Sequence, residues 1–146
     1  MPVTDKKIYD LYIAARGSAA LAVAVKVGVF DLLKSPATAQ ILAHQLELHP
    51  RGMDAILKAL SAAEILSYDS QSQNYSLTEA ARVYLLQESQ LDISGLIAME
   101  YEHFLTPEKL LAAAQHNSPS IYMDAGSDVW EHHQNDLEQA HRFTKA

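Results

Sequence analysis

Residues 19–25 read Ala-Ala-Leu-Ala-Val-Ala-Val, and nothing interrupts that run before Lys26. Placed on a helix from Ser18 to Val27, it is apolar on every side, and a helix of that kind must be covered on every side. The stretch before it, Ile8 to Arg16, sets Ile8, Leu11, Tyr12 and Ala15 at the i, i+3, i+4, i+7 spacing of an amphipathic helix. Gly17-Ser18 predicts a joint between the two, glycine weakening one helix and serine capping the next. Ala14, Ala15, Ala19, Ala20, Ala22 and Ala24 carry little bulk, so another helix can approach closely. A chain of 146 residues buries roughly two-thirds of its unfolded surface, and wrapping such a helix within so small a domain is difficult without a partner. The expected partner is a second copy, with Leu11, Ala15, Ala19, Ala22 and Val23 at the contact. The plainer alternative is a central helix wrapped by its own chain.

The remainder reads as further helices and one hairpin. Gly28 ends the apolar helix as a C-cap, and Val29 to Leu33 makes one helical turn. Thr38 is placed to cap a helix over Ala39–Leu46, and Pro50 to open another that runs to Ala63 with Met53, Ile56, Leu57 and Leu60 on one face. Ile65–Tyr68 and Tyr75–Leu77 read as strands around the polar tip Asp69–Asn74. Helices follow from Thr78 to about Leu86, from Asp92 to about Phe104, and from Pro107 to about His116. A loop at Asn117–Ser120 precedes two short helices, one bearing Trp130 and His133 and one over Asp136–Phe143. The fold class is mainly α: a winged helix-turn-helix with a small β-hairpin wing, plus additional N- and C-terminal helices. Three segments follow: 1–34 as dimerisation helices, 35–90 as the winged helix, and 91–146 as a helical, pocket-lining linker.

Several chemistries are excluded. The five glycines, Gly17, Gly28, Gly52, Gly95 and Gly126, are scattered, so neither G-x-G-x-x-G nor a P-loop is present. H-E-x-x-H and G-x-S-x-G are absent as well, which leaves no recognisable catalytic residues. With no cysteine there is no disulfide, thiolate zinc site or thiol nucleophile. His132, Asp136 and His141 make a weak metal signal without a third fixed ligand, and read as solvated, so no metal is expected. The unbroken apolar run is shorter than the roughly 18 residues that span a bilayer, and Met1–Lys7 has no signal-peptide core, so the expectation is a cytoplasmic chain without membrane partners.

Nucleic acid is a poor match too. The formal charge is −7, and between Thr38 and Thr78 the bases Arg51 and Lys58 face four acids, Glu47, Asp54, Glu64 and Asp69. A DNA reader needs cations on its second helix and wing to meet phosphates. The alternatives kept open are a winged-helix regulator of DNA or effector type, and a stand-alone docking module.

Ala24–Leu33, Ala39–Ala43, Arg51–Leu60 and Tyr75–Ala81, in that order and spacing, resemble the N-terminal domain of small-molecule O-methyltransferases of the caffeate, hydroxyindole and polyketide-tailoring type. The tail from Val129 to Ala146 resembles the family's linker into a catalytic domain. The resemblance implies an intertwined homodimer that roofs the acceptor pocket. It also implies S-adenosylmethionine and a general-base histidine in a Rossmann-like domain outside these residues. No catalytic or cofactor-binding residue is then expected in the chain, which alone would be inactive. By the same resemblance Met99, Glu100, Tyr101, Trp130, His133 and Phe143 correspond to positions that contact a small, aromatic acceptor. Its identity stays open, as does methylation at oxygen against nitrogen or carbon.

Overall fold

The computed structural model of the chain describes residues 4–102 and 105–116. Its elements run α1 (Lys6–Val27), α2 (Val29–Leu32), α3 (Ala39–Gln45), α4 (Pro50–Ala62), β1 (Leu66–Asp69), β2 (Asn74–Leu77), α5 (Glu79–Tyr84), α6 (Ser94–Glu102) and α7 (Pro107–His116). The described residues are mainly helical, with one two-stranded antiparallel sheet, as the sequence predicts. The two short helices expected beyond Ser120 lie outside them.

The joint expected at Gly17-Ser18 is absent: α1 is one uninterrupted helix of 22 residues. A mid-helix glycine costs only about 0.5–1 kcal/mol relative to alanine, and burial of Ala22 and Ala24 beyond it fixes the axis. Merging the two segments also makes α1 long and apolar enough, by length and composition alone, to cross a membrane, which the shorter run is not. Gly28 closes the helix at φ 82°, with its N–H donating to the carbonyls of Ala24 and Val25.

Side chains start the later helices. Thr38 Oγ1 accepts from Ile41 N at 3.3 Å, and Thr78 Oγ1 accepts from Ala81 N at 3.3 Å while donating to the Ile65 carbonyl at 2.9 Å. His49 Nδ1 accepts from Arg51 N at 3.2 Å, just ahead of Pro50 at the first helical position. Asp92 acts two residues ahead of α6, accepting from Ser94 N and Ser94 Oγ at 2.8 and 2.9 Å. Two helices end without glycine: Glu47 and Glu64 take the left-handed conformation after α3 and α4, at φ 54° and 59°.

α4 is the hub of the core. Its Met53, Leu57 and Leu60 are buried in one cluster with Ala24, Phe30 and Leu42, and the helix lies against α1, α3 and β1. β1 and β2 pair in the register Leu66↔Leu77, Ser67↔Ser76, Tyr68↔Tyr75, Asp69↔Asn74. The tip is tightened by Asp69, which accepts from Gln71 N and Ser72 Oγ. Ala37 exchanges two backbone hydrogen bonds with Tyr75, of 3.1 and 2.8 Å, and adds a short third edge. Helix, turn, helix and hairpin thus follow one another in the order of a winged helix.

Tyr75 locks the hairpin to α4. Its ring lies 4.8 Å from that of Tyr68, and its hydroxyl donates to Asp54 Oδ1 at 3.3 Å. Burial pushes the Tyr75 phenol up to about 12, so it remains a donor at neutral pH. The Lys58 ammonium, 2.7 Å from Asp54 Oδ2, holds the Asp54 carboxyl below its usual range, and the Tyr75 hydroxyl adds to this.

Two outcomes are expected. Gly28→Ala forces a Cβ into left-handed backbone, where nothing lies within 4 Å of it; urea unfolding should show a loss of about 1–2 kcal/mol from the backbone alone. Because the Asp54 carboxyl is more acidic folded than unfolded, its stabilisation is complete above the ordinary value of 3.8 and disappears as pH falls through the lower folded value. Urea midpoints taken from neutral pH down to about pH 2 should therefore fall further for the parent chain than for Asp54→Asn.

Candidate functional site

The two halves of α1 have opposite surroundings. Beyond Gly17, Ala22 and Ala24 are buried, and Ala20, Leu21, Val25 and Val27 pack against the core. Before it, every residue from 4 to 16 is exposed. Ile8 and Leu11 are 77% and 76% exposed, and Tyr9, Tyr12 and Ile13 are exposed as well. At 100° per residue these five side chains sweep an arc of about 200°. Lys6, Lys7, Asp10 and Ala14 fill the remainder, with Lys6 and Asp10 paired along the helix.

Tyr12 and Arg16 form a fixed unit inside the apolar arc. Arg16 donates to the Tyr12 hydroxyl at 2.6 Å and to its carbonyl oxygen at 3.1 Å. The guanidinium carbon lies 4.0 Å from the centre of the Tyr12 ring, and Tyr9 packs beside it at 6.1 Å between ring centres. Amphipathic aromatic and arginine side chains are the types that most often anchor protein interfaces.

Of the residues expected at a contact between copies, Leu11, Ala15 and Ala19 are exposed and Val23 is half-buried. Ala22 requires correction: it is 2% exposed and already covered by its own chain. Tyr9, Ile13 and Arg16 were not singled out by sequence reasoning. The signal that finds them is the width of the apolar arc, of which the periodicity of Ile8, Leu11, Tyr12 and Ala15 reports only one side.

The acceptor-lining candidates are described only in part. Met99 is half-buried on α6, the helix that lies along α1. Tyr101 is 50% exposed, with the Lys26 ammonium 5.6 Å from the centre of its ring. The Glu100 side chain, Trp130, His133 and Phe143 lie outside the described residues, as do His132, Asp136 and His141. Met99 and Tyr101, two positions apart on α6, lie about 200° apart around the helix, so the described residues do not bring them onto one face.

A separate, half-open cleft of about 350 Å³ lies between α3, α4 and the hairpin, lined in part by Gln40, Arg51, Lys58, Tyr68 and Gln73. This is the face that a winged helix would offer to a phosphate backbone. Lys58 is committed to Asp54, which lines the same cleft, and among the described residues Arg51 is the other basic side chain there.

Comparison with known proteins completes the site. The family model described as O-methyltransferase dimerisation domain matches residues 9–87, which include all of the exposed α1 patch but Ile8. A human protein described as a probable bifunctional dTTP/UTP pyrophosphatase/methyltransferase is 31% identical over 99 residues, covering 66% of this chain and 16% of its own. Among solved structures, an O-methyltransferase family 2 protein from Planctomyces limnophilus in complex with apigenin is 27% identical, with a TM-score of 0.60 over 70% of this chain and 31% of that one. Human N-acetylserotonin methyltransferase in complex with SAM has a TM-score of 0.79 at 16% identity, covering 100% of this chain and 45% of that one. The chain thus spans less than half the length of these structures. With the family pattern running through more than half of its 146 residues, from the exposed turns of α1 to the end of α5, the chain belongs to the O-methyltransferase dimerisation-domain family.

Proposed function

We propose that this chain is the dimerisation and acceptor-capping part of a cytoplasmic, S-adenosylmethionine-dependent O-methyltransferase, and that two copies associate through the first half of α1. The observation that carries this reading is the apolar arc of Ile8, Tyr9, Leu11, Tyr12 and Ile13, which the chain itself leaves uncovered. One helix packed flat against another covers roughly a third of its circumference, so an arc of about 200° calls for a partner that clasps the helix from two sides. Two copies clasping each other in this way form an intertwined homodimer. The same burial removes α1 from water without a bilayer. Among the described residues the α4 cleft holds two basic side chains, one of them paired with Asp54, which offers little for counterion release and favours a protein partner over nucleic acid.

The winged-helix region then serves as a rigid support, and α6, through Met99 or Tyr101 on its two sides, contributes to the wall for a small, aromatic acceptor. Flat apolar walls with few polar groups suit such a molecule. S-adenosylmethionine would supply the methyl group from a site outside this chain. The residues described here do not make a cradle for it: Gly17, Gly52 and Gly95 lie inside helices, and Gly28 closes one. Isothermal calorimetry should give no heat of binding for S-adenosylmethionine with this chain, and micromolar binding would overturn that assignment.

The association is tested by sedimentation. The chain should sediment as a dimer at micromolar concentration and as a monomer once Leu11→Asp is introduced. Leu11 contributes nothing to its own core, so the variant should unfold with the urea midpoint that the parent shows at concentrations where it is monomeric. Tyr12→Ala should weaken the dimer by about 2 kcal/mol, the loss of one interface anchor. A parent chain that sediments as a monomer would contradict the reading.

A further inference from the structure

We infer that residues 6–16 of α1 become stably helical only as the second copy closes over them, with Gly17 marking the boundary between the helix that the chain folds by itself and the helix that the dimer folds. This rests on the dimer proposed above.

Residues 18–27 are anchored by Ala22 and Ala24, buried within the chain, and by Leu21, Val25 and Val27, which pack against its core. Residues 6–16 have no such anchor, since all of them are exposed. Eleven residues fall below the roughly 12–15 at which even favourable sequences hold a helix in water. This sequence is not favourable: Ile8, Tyr9, Tyr12 and Ile13 are β-branched or aromatic and lose side-chain freedom in a helix. Asp5, at the N-cap position, makes no side-chain capping bond. Local support comes from the Lys6–Asp10 pair, with both side chains more than half exposed and therefore screened by water, and from the Arg16–Tyr12 unit. Helix spreading back from the anchored half has to pass Gly17, which lowers the population of everything beyond it about five-fold relative to alanine.

Association then selects a minor state. The apparent affinity is the affinity of the folded helix multiplied by the square of the fraction of chains that have it formed, since both copies must form it. Dimer strength becomes a function of helix population in a segment that touches no other part of its own core, so changes at Gly17 tune assembly without altering the contact residues.

Amide hydrogen exchange, run beside sedimentation on the same samples of the 146-residue chain, tests this. At concentrations where the chain is monomeric, amides of residues 10–16 should exchange within about ten-fold of the unfolded rate while those of 20–27 remain at least about a hundred-fold protected. Where it is dimeric, both should be protected. In Gly17→Ala, exchange of 10–16 in the monomer should slow, by at most about five-fold, and the dimer should tighten by the square of the gain in helical fraction, at most about 25-fold, because both copies form the helix. Slower exchange without a tighter dimer would overturn the coupling, and a weaker dimer would put Gly17 at the contact and overturn its role as boundary. A dimer whose residues 10–16 are protected at every concentration overturns this inference alone. A chain that is monomeric at every concentration overturns the dimer itself.

Discussion

A helix with no polar face along half its length needs cover all round, and in α1 the chain itself supplies that cover for the second half alone. Its second half lies against α4 and α6, where alanines keep the axes close and valines reach the core. Its first half extends past those elements and presents Ile8, Leu11 and Tyr12 to solvent. Exposed apolar residues are ordinary when scattered; a contiguous patch marks an association surface. The rest of the structure is arranged around this division. The α4 core fixes the buried half of α1, and that half carries the exposed half outward along a single axis.

The winged-helix order of elements is joined to polar contacts that hold the hairpin in place. On α4 the one lysine is engaged by Asp54, and Asp54 is engaged in turn by Tyr75, so two of the polar groups beside the cleft are used to lock the hairpin. The wing tip is closed on itself by Asp69. A fold with the order of a DNA-binding motif thus has its polar groups turned to internal rigidity.

Much of the fold was legible in the residues because it rests on strong local rules. The face Met53, Ile56, Leu57 and Leu60 located α4, and Pro50 and Pro107 set the first positions of α4 and α7. Gly28 marked the end of α1 because left-handed backbone favours glycine. Other features broke those rules for physical reasons. Gly17 suggested a joint, yet a glycine inside a helix carries only a small penalty that burial further along outweighs. Glu47 and Glu64 sit where glycine is usual, so the ends of α3 and α4 carried no glycine signal.

The candidate site was legible on one side of its arc and not on the other. Leu11, Ala15 and Ala19 lie on the exposed side as the spacing suggested, whereas Ala22 turned inward because one residue type serves both close packing and interfaces. Tyr9 and Ile13 escaped notice because a wide arc looks like noise to a search for a narrow stripe. The Arg16–Tyr12 unit depends on side-chain geometry that spacing alone does not specify.

The central claim concerns which side chains one copy buries against another. Isotope-filtered NOE spectroscopy on a mixture of labelled and unlabelled chain observes that contact directly. The account predicts intermolecular cross-peaks from the methyl groups of Ile8, Leu11 and Ile13. Intermolecular cross-peaks confined to other elements, with those methyls silent, would contradict it.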